Sequence, residues 1–154
     1  MLVTDLPVHH KIIAKLENKN IAELTEIQEK TILPALQGKD IIASSKTGSG
    51  KTFAFLVPAI NRLMSQKALS RQDPRALILA PTRELAMQIA KDAEQLCGYT
   101  GHNVVTVVGG MNYDKQRDQL QNEIVDILVA TPGRLIDFLG SQDVFLDQLA
   151  ILIL

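Results

Sequence analysis

The chain has 154 residues, a length typical of one domain, and apolar residues make up 46% of it, enough to form a packed core. The formal net charge of −1 excludes a global basic field, so any nucleic-acid contact must come from a local patch. The single cysteine, Cys97, excludes an internal disulfide and a cysteine-based zinc site and fits a reducing, cytoplasmic setting; no apolar run approaches the roughly 18 residues of a membrane span.

The first third of the chain predicts two helices and a strand. Apolar residues recur on one face over residues 7–19, which indicates the first helix, and residues 25–36 form the second, with Gly38 as its stop. The short apolar run over residues 40–44 then predicts a strand.

A glycine-rich segment, residues 44–52, lies between that strand and a helix predicted over residues 51–65. Gly48 and Gly50 let backbone N–H groups approach an anion, and the start of the helix adds the positive end of its dipole. Lys51 supplies a charge for β- and γ-phosphates, and Thr52 a hydroxyl for Mg²⁺. The strict phosphate-loop pattern has glycine where Ser45 stands, and the alternative is a turn that only caps a helix. The predicted phosphate-binding set is Ser45, Lys46, Thr47, Gly48, Ser49, Gly50, Lys51 and Thr52.

Strands and helices alternate in the rest of the chain. After a polar surface loop over residues 66–74, strands are predicted at 76–80, 103–108, 124–130 and 150–154, with helices at 83–97, 113–121 and 132–140 between them. This alternation predicts right-handed βαβ units, and therefore an α/β fold with a mainly parallel sheet. Ligands of such sheets bind at the carboxyl ends of the strands.

Three more segments follow predicted strands: Pro-Thr-Arg-Glu-Leu-Ala at 81–86, Gly-Gly at 109–110 and Thr-Pro-Gly-Arg at 131–134. Together with the glycine-rich segment, and in the same order, they resemble the first RecA-like domain of bacterial DEAD-box ATP-dependent RNA helicases. The resemblance implies a three-layer RecA-like P-loop NTPase domain that uses ATP and Mg²⁺. It also implies RNA contacts at Pro81, Thr82, Arg83, Gly109, Gly110, Thr131, Pro132, Gly133 and Arg134.

The residue types of these segments suit contacts with a nucleic-acid backbone. Thr82 and Thr131 stand where helix N-caps are expected, so nearby backbone N–H groups are free to bind phosphates. Arg83 and Arg134 add charge, and such contacts read phosphates rather than bases, which predicts sequence-tolerant binding. Capping by the threonines plus two solvated arginines is the simpler alternative for each segment taken alone.

Upstream, residues 3–28 resemble the adenine-reading segment of the same family. Thr25 and Gln28 supply its threonine and glutamine, while Asn20, Ile21 and Leu24 depart from its usual glycine, aromatic and proline, as does Val3 from its usual phenylalanine. A glutamine amide can pair with the N6 and N7 edge of adenine. Thr25 and Gln28 also match a capping box, which would explain both residues without a ligand.

In the family, an Asp-Glu-Ala-Asp motif follows a strand like that at 150–154, and a second RecA-like domain comes later. The resemblance therefore implies that residues 1–154 are an incomplete N-terminal ATP-binding domain, able at best to hold a nucleotide through Lys51 and Thr52. A further family strand lies between those at 40–44 and 150–154, so we expect residues 1–154 alone to aggregate or swap strands. The rival functions are another P-loop enzyme, such as a small-molecule kinase, and a non-catalytic RNA-binding or assembly module.

Overall fold

The computed structural model describes residues 1–46, 48, 50–65 and 73–154 of the chain. Thr47, Ser49 and most of the loop expected at 66–74 lie outside the described residues. The chain forms two compact units, one made of Met1–Gln66 with Gln95–Gly101 and the other of Lys67–Glu94 with His102–Leu154. No helix in the described residues is long and apolar enough to cross a membrane.

Three helices build the first unit: α1 at His10–Asn18, α2 at Glu26–Leu36 and α3 at Lys51–Ser65, after a 3-10 turn at Val3–Asp5. The expected helices are confirmed, but α1 begins three residues later than the pattern indicated because the side chain of His9 caps it. Ile12 and Leu16 of α1 are buried, and α2 packs along α3.

His9 gives the start of α1 a pH dependence. Its Nδ1 accepts a hydrogen bond from the Lys11 backbone N–H at 3.2 Å, so the cap requires the neutral ring. Desolvation, with the nearby charges of His10 and Lys11, lowers the pKa of His9 below its ordinary value of 6.5. Because the folded state binds this proton less well than the unfolded chain, the stability of the cap is complete above pH 6.5 and is lost as the pH falls below that value.

We therefore expect the first turn of α1 to fray in mild acid. Amide-exchange protection at Lys11, corrected for intrinsic exchange, should fall between about pH 7.5 and about pH 5. His9→Asn supplies a cap that does not titrate, so that variant should keep its protection over the same range. Equal pH dependence in the two proteins would contradict a capping role for His9.

The strand expected over residues 40–44 is not formed. These residues carry no strand pairing, and the side chain of Ile42 is fully exposed. An apolar run becomes a strand only when another strand satisfies its N–H and C=O groups, and none of the described residues does so. The expectation was wrong at this point because the apolar composition of the run does not reveal whether a partner strand is present.

The second unit contains a parallel sheet, as expected. Its strands are β1 at Ala76–Leu79, β2 at Val104–Val107, β3 at Ile127–Ala130 and β4 at Ile151–Ile153, in the order β2-β3-β1-β4. The connecting helices are α4 at Arg83–Leu96, α5 at Tyr113–Asn122 and α6 at Pro132–Gly140. All three pairings are parallel, in the registers Ala76↔Ile127, Ala76↔Ile151 and Val104↔Ile127.

The helices cover both faces of this sheet. Buried residues of α5 and α6, among them Leu120 and Phe138, pack in one core with Leu77, Val105 and Leu128 of the strands. The connections from β2 to β3 and from β3 to β4 cross the sheet in one direction, and the connection from β1 to β2 crosses it in the other. Because such crossovers are right-handed, α4 lies on the face opposite α5 and α6. The second unit is therefore the three-layer α/β arrangement that the sequence predicts.

A buried ion pair holds the strands together where they begin. Asp126, just before β3, lies 3.1 Å from the Arg75 guanidinium and accepts a 2.8 Å hydrogen bond from the Asn103 N–H. The Arg75 carbonyl accepts hydrogen bonds from Ala150 and Ile151 at the start of β4. We call this group the Arg75–Asp126 clasp. It links residues that precede all four strands, and the Asp126 carbonyl accepts further hydrogen bonds from the N–H groups of Arg75 and Ala76. β3 begins three residues later than the predicted strand at 124–130.

Candidate nucleotide and nucleic-acid sites

The described residues of the glycine-rich segment that precede α3 are largely exposed. Gly48 and Gly50 have φ angles of +82° and +90°, a region that side chains with a Cβ rarely adopt. The Lys51 ammonium turns back and donates a 2.7 Å hydrogen bond to the carbonyl of Ser45. The lysine therefore lies across its own loop, and a phosphate would compete with the Ser45 carbonyl for it.

The capping box expected at the start of α2 is confirmed. The Thr25 N–H donates to Gln28 Oε1 at 2.9 Å, and the Gln28 N–H reaches Thr25 Oγ1 at 3.5 Å. Gln28 also extends to the glycine loop, since its Nε2 donates to the Gly50 carbonyl at 3.2 Å. A Cβ added to Gly50 would lie only 2.6 Å from that Nε2. The segment expected to read adenine is therefore in direct contact with the loop expected to hold phosphates.

The Gln28 amide keeps hydrogen-bonding capacity that the adenine hypothesis requires. The side chain is 5% exposed, and each end of its amide is engaged once. A primary amide has two N–H donors and two acceptor lone pairs, so one of each remains for a base. The capping box and base reading are therefore compatible in hydrogen-bonding capacity, and a base reaches this buried amide only if the groups that cover it move aside.

Gln28→Ala separates the two roles. We expect this variant of the full-length protein to lose preference for ATP over other triphosphates, because the amide edge is gone while Thr25 still caps α2. Competition binding with ATP, GTP and UTP measures the preference, and thermal unfolding measures the cap. If only the unfolding temperature falls, by the few degrees that about 1 kcal/mol represents, the capping box alone explains Gln28.

Two departures from the family pattern have structural explanations. Asn20 stands where glycine is usual and has a φ of +62°, a conformation that asparagine tolerates better than most residues. Val3 stands where phenylalanine is usual and is fully buried. Its N–H donates to the Ala22 carbonyl at 2.9 Å, which ties the start of the chain to the segment before α2. Val3 therefore offers a base no stacking surface.

Three loops meet at the carboxyl ends of β1, β2 and β3. The Gly109 N–H donates to Thr131 Oγ1 at 3.2 Å, joining the loops after β2 and β3. A Cβ added to Gly110, whose φ is +78°, would lie 2.7 Å from Arg83 Nη1, so the arginine after β1 passes directly over this glycine. The three RNA-contact segments predicted from the sequence therefore lie together in the second unit.

The two threonines in these loops act differently. Thr82 caps α4 as expected, because its Oγ1 accepts from the Leu85 N–H at 3.2 Å. Thr131 occupies the cap position of α6, and Pro132 is the first helical residue, yet the Thr131 side chain makes no capping bond. The predicted N-cap position is therefore confirmed, but the hydroxyl accepts from Gly109 instead of capping the helix.

The two arginines also differ. The side chain of Arg83 is 46% exposed, and Glu84, at 3.5 Å, is its ion-pair partner. That of Arg134 is 12% exposed, bonds to the Met111 carbonyl and Gln116 Oε1, and lies over the Tyr113 ring. Arg83 is therefore available to an incoming phosphate, whereas Arg134 mainly stabilises the loop that follows β2.

A sequence profile decides the family. The profile described as DEAD/DEAH box helicase matches residues 25–154, which is most of the chain. The chain belongs to this family.

Bacterial relatives described as "ATP-dependent RNA helicase RhlB" support the assignment. The protein from Pseudomonas aeruginosa (strain UCBPP-PA14) is 50% identical over 133 residues, 84% of this chain and 34% of the relative. The protein from Xanthomonas oryzae pv. oryzae is 48% identical over 140 residues, 89% of this chain and 24% of the relative. The chain thus spans about a quarter to a third of the length of these relatives.

A solved structure agrees with the fold. The crystal structure of a hypothetical ATP-dependent RNA helicase from Sulfolobus tokodaii superposes with a TM-score of 0.82 at 35% sequence identity. The superposition covers 94% of this chain and 40% of that one. The RecA-like architecture expected from the motifs is therefore confirmed.

Within this DEAD/DEAH box chain, sequence reasoning overlooked Gln116. It is 8% exposed, its Nε2 donates to the Val108 carbonyl at 3.1 Å, and its Oε1 accepts from Arg134 at 2.9 Å. Gln116 thus connects the end of β2, α5 and α6. A polar residue in a polar helix carries no local signal of such a role, although its place in the first turn of α5, six residues after Gly110, put it near the predicted site.

Proposed function

We propose that the whole protein is an ATP-dependent RNA helicase, in which ATP binding and hydrolysis drive local unwinding or remodelling of RNA duplexes. The meeting of the loops after β1, β2 and β3, with Arg83 over Gly110, is the observation that carries the proposal. It gathers backbone N–H groups, an exposed arginine and a helix N-terminus on one surface, which suits a phosphate backbone. The relatives described as ATP-dependent RNA helicases support the same activity.

In this proposal the glycine loop holds ATP. Lys51 leaves the Ser45 carbonyl and neutralises phosphate charge, while N–H groups from Gly48 to Lys51 surround the phosphates. Gln28, fixed by Thr25, pairs with adenine. Thr52 supplies a hydroxyl to Mg²⁺ that arrives with ATP, and no group of three potential metal-ligating side chains occurs among the described residues.

The same proposal assigns RNA to the second unit. Arg83 and backbone groups of Thr82, Gly110 and Gly133 contact phosphates, so binding tolerates any base sequence. The described relatives are about two and a half to four times as long as this chain, which leaves room for a second RecA-like domain that closes on RNA when ATP binds. A cytoplasmic location, suggested by the single buried Cys97, completes the proposal.

Arg83→Ala tests the RNA assignment. Because Arg83 is exposed above Gly110, its loss should weaken RNA binding about equally for all base sequences and lower the salt slope of the binding constant by about one unit. RNA-stimulated ATP turnover of the full-length protein should fall with it. The measurements are binding isotherms at several salt concentrations with two unrelated single-stranded RNAs.

Arg117→Ala is the matched control. Arg117 is also a half-exposed arginine of the second unit, but it belongs to none of the three loops and pairs with Asp143, which follows α6. Its removal should leave the salt slope unchanged. Sequence-dependent loss of binding in the Arg83 variant, or ATP turnover that ignores RNA in the unaltered protein, would contradict the proposal.

A further inference from the structure

A groove of about 1190 Å³ follows the outer edge of β2. Residues of α4 and of α5 line it, and these helices lie on opposite faces of the sheet, so the groove passes over the edge of the sheet and not over a face. β2 is the terminal strand on this side. The groove therefore exposes the side of β2 that no other strand covers in the described residues.

The backbone of β2 presents hydrogen-bonding groups to this groove. The carbonyls of Asn103 and Val107 accept hydrogen bonds from Ile127 and Thr131 and so face β3. Backbone groups of alternate residues in a strand point to opposite sides, so the N–H and C=O of Val104 and Thr106 point away from β3, and Thr106 lines the groove. Within the described residues nothing is bonded to these groups of Thr106, whereas Gln116 covers the Val108 carbonyl.

The walls of the groove change character along its length. Met87 and Met111, 46% and 45% exposed, lie near the carboxyl end of β2. Because α4 and α5 both run antiparallel to β2, Lys91 and Lys115 come next, and both are exposed without an ion-pair partner in the described parts of the chain. Asp118, Glu94 and Glu123 follow toward the amino end. The order is thus apolar, basic, acidic.

We propose that the edge of β2 binds an extended peptide of a protein partner as an added strand. The peptide places an apolar side chain beside the methionines, an acidic one between the lysines and a basic one near the glutamates. Main-chain hydrogen bonds to Val104 and Thr106 hold it, as in other cases of strand addition, and the side chains select it. The acidic end of the groove disfavours a nucleic acid, whose charge is negative along its whole length.

Labelled synthetic peptides test the proposal. The probes are nonapeptides of alternating Thr and Val with Leu near one end, Asp at the centre and Lys near the other, made in both chain directions. Fluorescence anisotropy with the full-length protein should show saturable binding of at least one direction. Thr106→Pro removes the N–H that faces the groove without removing a bond to β3, so it should weaken binding about tenfold or more. Thr106→Val, which keeps the N–H, should change binding less than about twofold.

Exchange of charge provides the second test. Lys91→Glu combined with Lys115→Glu should weaken binding of the Asp peptide about tenfold and strengthen binding of a peptide with Lys at its centre. Lys39→Glu, at an exposed position of the first unit, should change neither. Circular dichroism of each variant checks that the fold is retained.

Four results would overturn the proposal. One is the absence of binding by peptides of both directions and both central charges, and another is binding that ignores Thr106→Pro. A third is competition by single-stranded RNA together with loss of RNA affinity in the lysine variant, which would assign the groove to nucleic acid. The last is a concentration-dependent dimer in sedimentation that Thr106→Pro abolishes, which would assign it to a second copy of the chain.

Discussion

Replacing Lys51 with alanine is expected to abolish measurable ATP turnover in the full-length protein. Its ammonium already lies within the glycine loop, bonded to the Ser45 carbonyl, and no other lysine of the described loop is bonded there. Each hydrogen bond to a charged group contributes about 1.5–3 kcal/mol, so each bond lost from the phosphates should lower turnover roughly 10- to 150-fold. Steady-state phosphate release at saturating RNA measures the effect.

Lys39→Ala is the control for this experiment. Lys39 is an exposed lysine that follows Gly38, outside the glycine loop, so the variant removes the same charge from the same unit. Its turnover should match that of the unaltered protein. If the Lys51 variant keeps nearly the original turnover, the phosphate-loop assignment is wrong, since that assignment relies on Lys51 to neutralise the charge of the phosphates.

Asp126→Ala is expected to destabilise the second unit by about 3–5 kcal/mol, because it leaves the Arg75 guanidinium buried without its carboxylate. The side chains of Arg75 and Asp126 are only 8% and 12% exposed, so water cannot replace the missing partner. The Asn103 N–H loses its acceptor in the same change. Amide exchange of β1 and β3 in the full-length protein should report the loss as faster opening of both strands.

Asp137→Ala gives the comparison. Its carboxylate is 62% exposed and lies 3.9 Å from Arg134, and exposed pairs of this kind contribute at most about 1 kcal/mol. Asp126→Asn keeps an acceptor for Asn103 and should fall between the two. Similar losses in the Asp126 and Asp137 variants would mean that the Arg75–Asp126 clasp does not hold the strands together.

Signals carried by residues close together in the sequence predicted helix caps and most strands correctly. The capping box of Thr25 and Gln28 joins residues three apart, and both of its hydrogen bonds are present. The apolar runs at β1, β2 and β3 became strands because neighbouring strands complete their hydrogen bonds. The equally apolar residues 40–44 did not, which shows that composition predicts the capacity to pair and not the presence of a partner.

Contacts between distant residues could not be predicted. Asp126 and Arg75 are 51 residues apart, and nothing in either neighbourhood indicates the other. The same applies to Arg134, whose charge predicted an exposed phosphate ligand, while Tyr113 and Gln116 engage it inside the protein. The motif pattern identified the loops that meet. It did not reveal that Arg83 is exposed while Arg134 is held by other side chains, because that difference depends on the residues that surround each arginine.

The space above two glycines has a consequence for how this sequence can vary. Gly50 leaves room for Gln28, and Gly110 leaves room for Arg83, so each glycine is fitted to a side chain from a different motif. A change at either glycine displaces its partner and acts as a second mutation in that motif, and residues in contact couple in this way. At Gly110 the exposed guanidinium of Arg83 can move aside, and the φ of +78° is what disfavours other residues. The coupling between motifs is therefore stronger at Gly50, where the buried amide of Gln28 has less freedom to move.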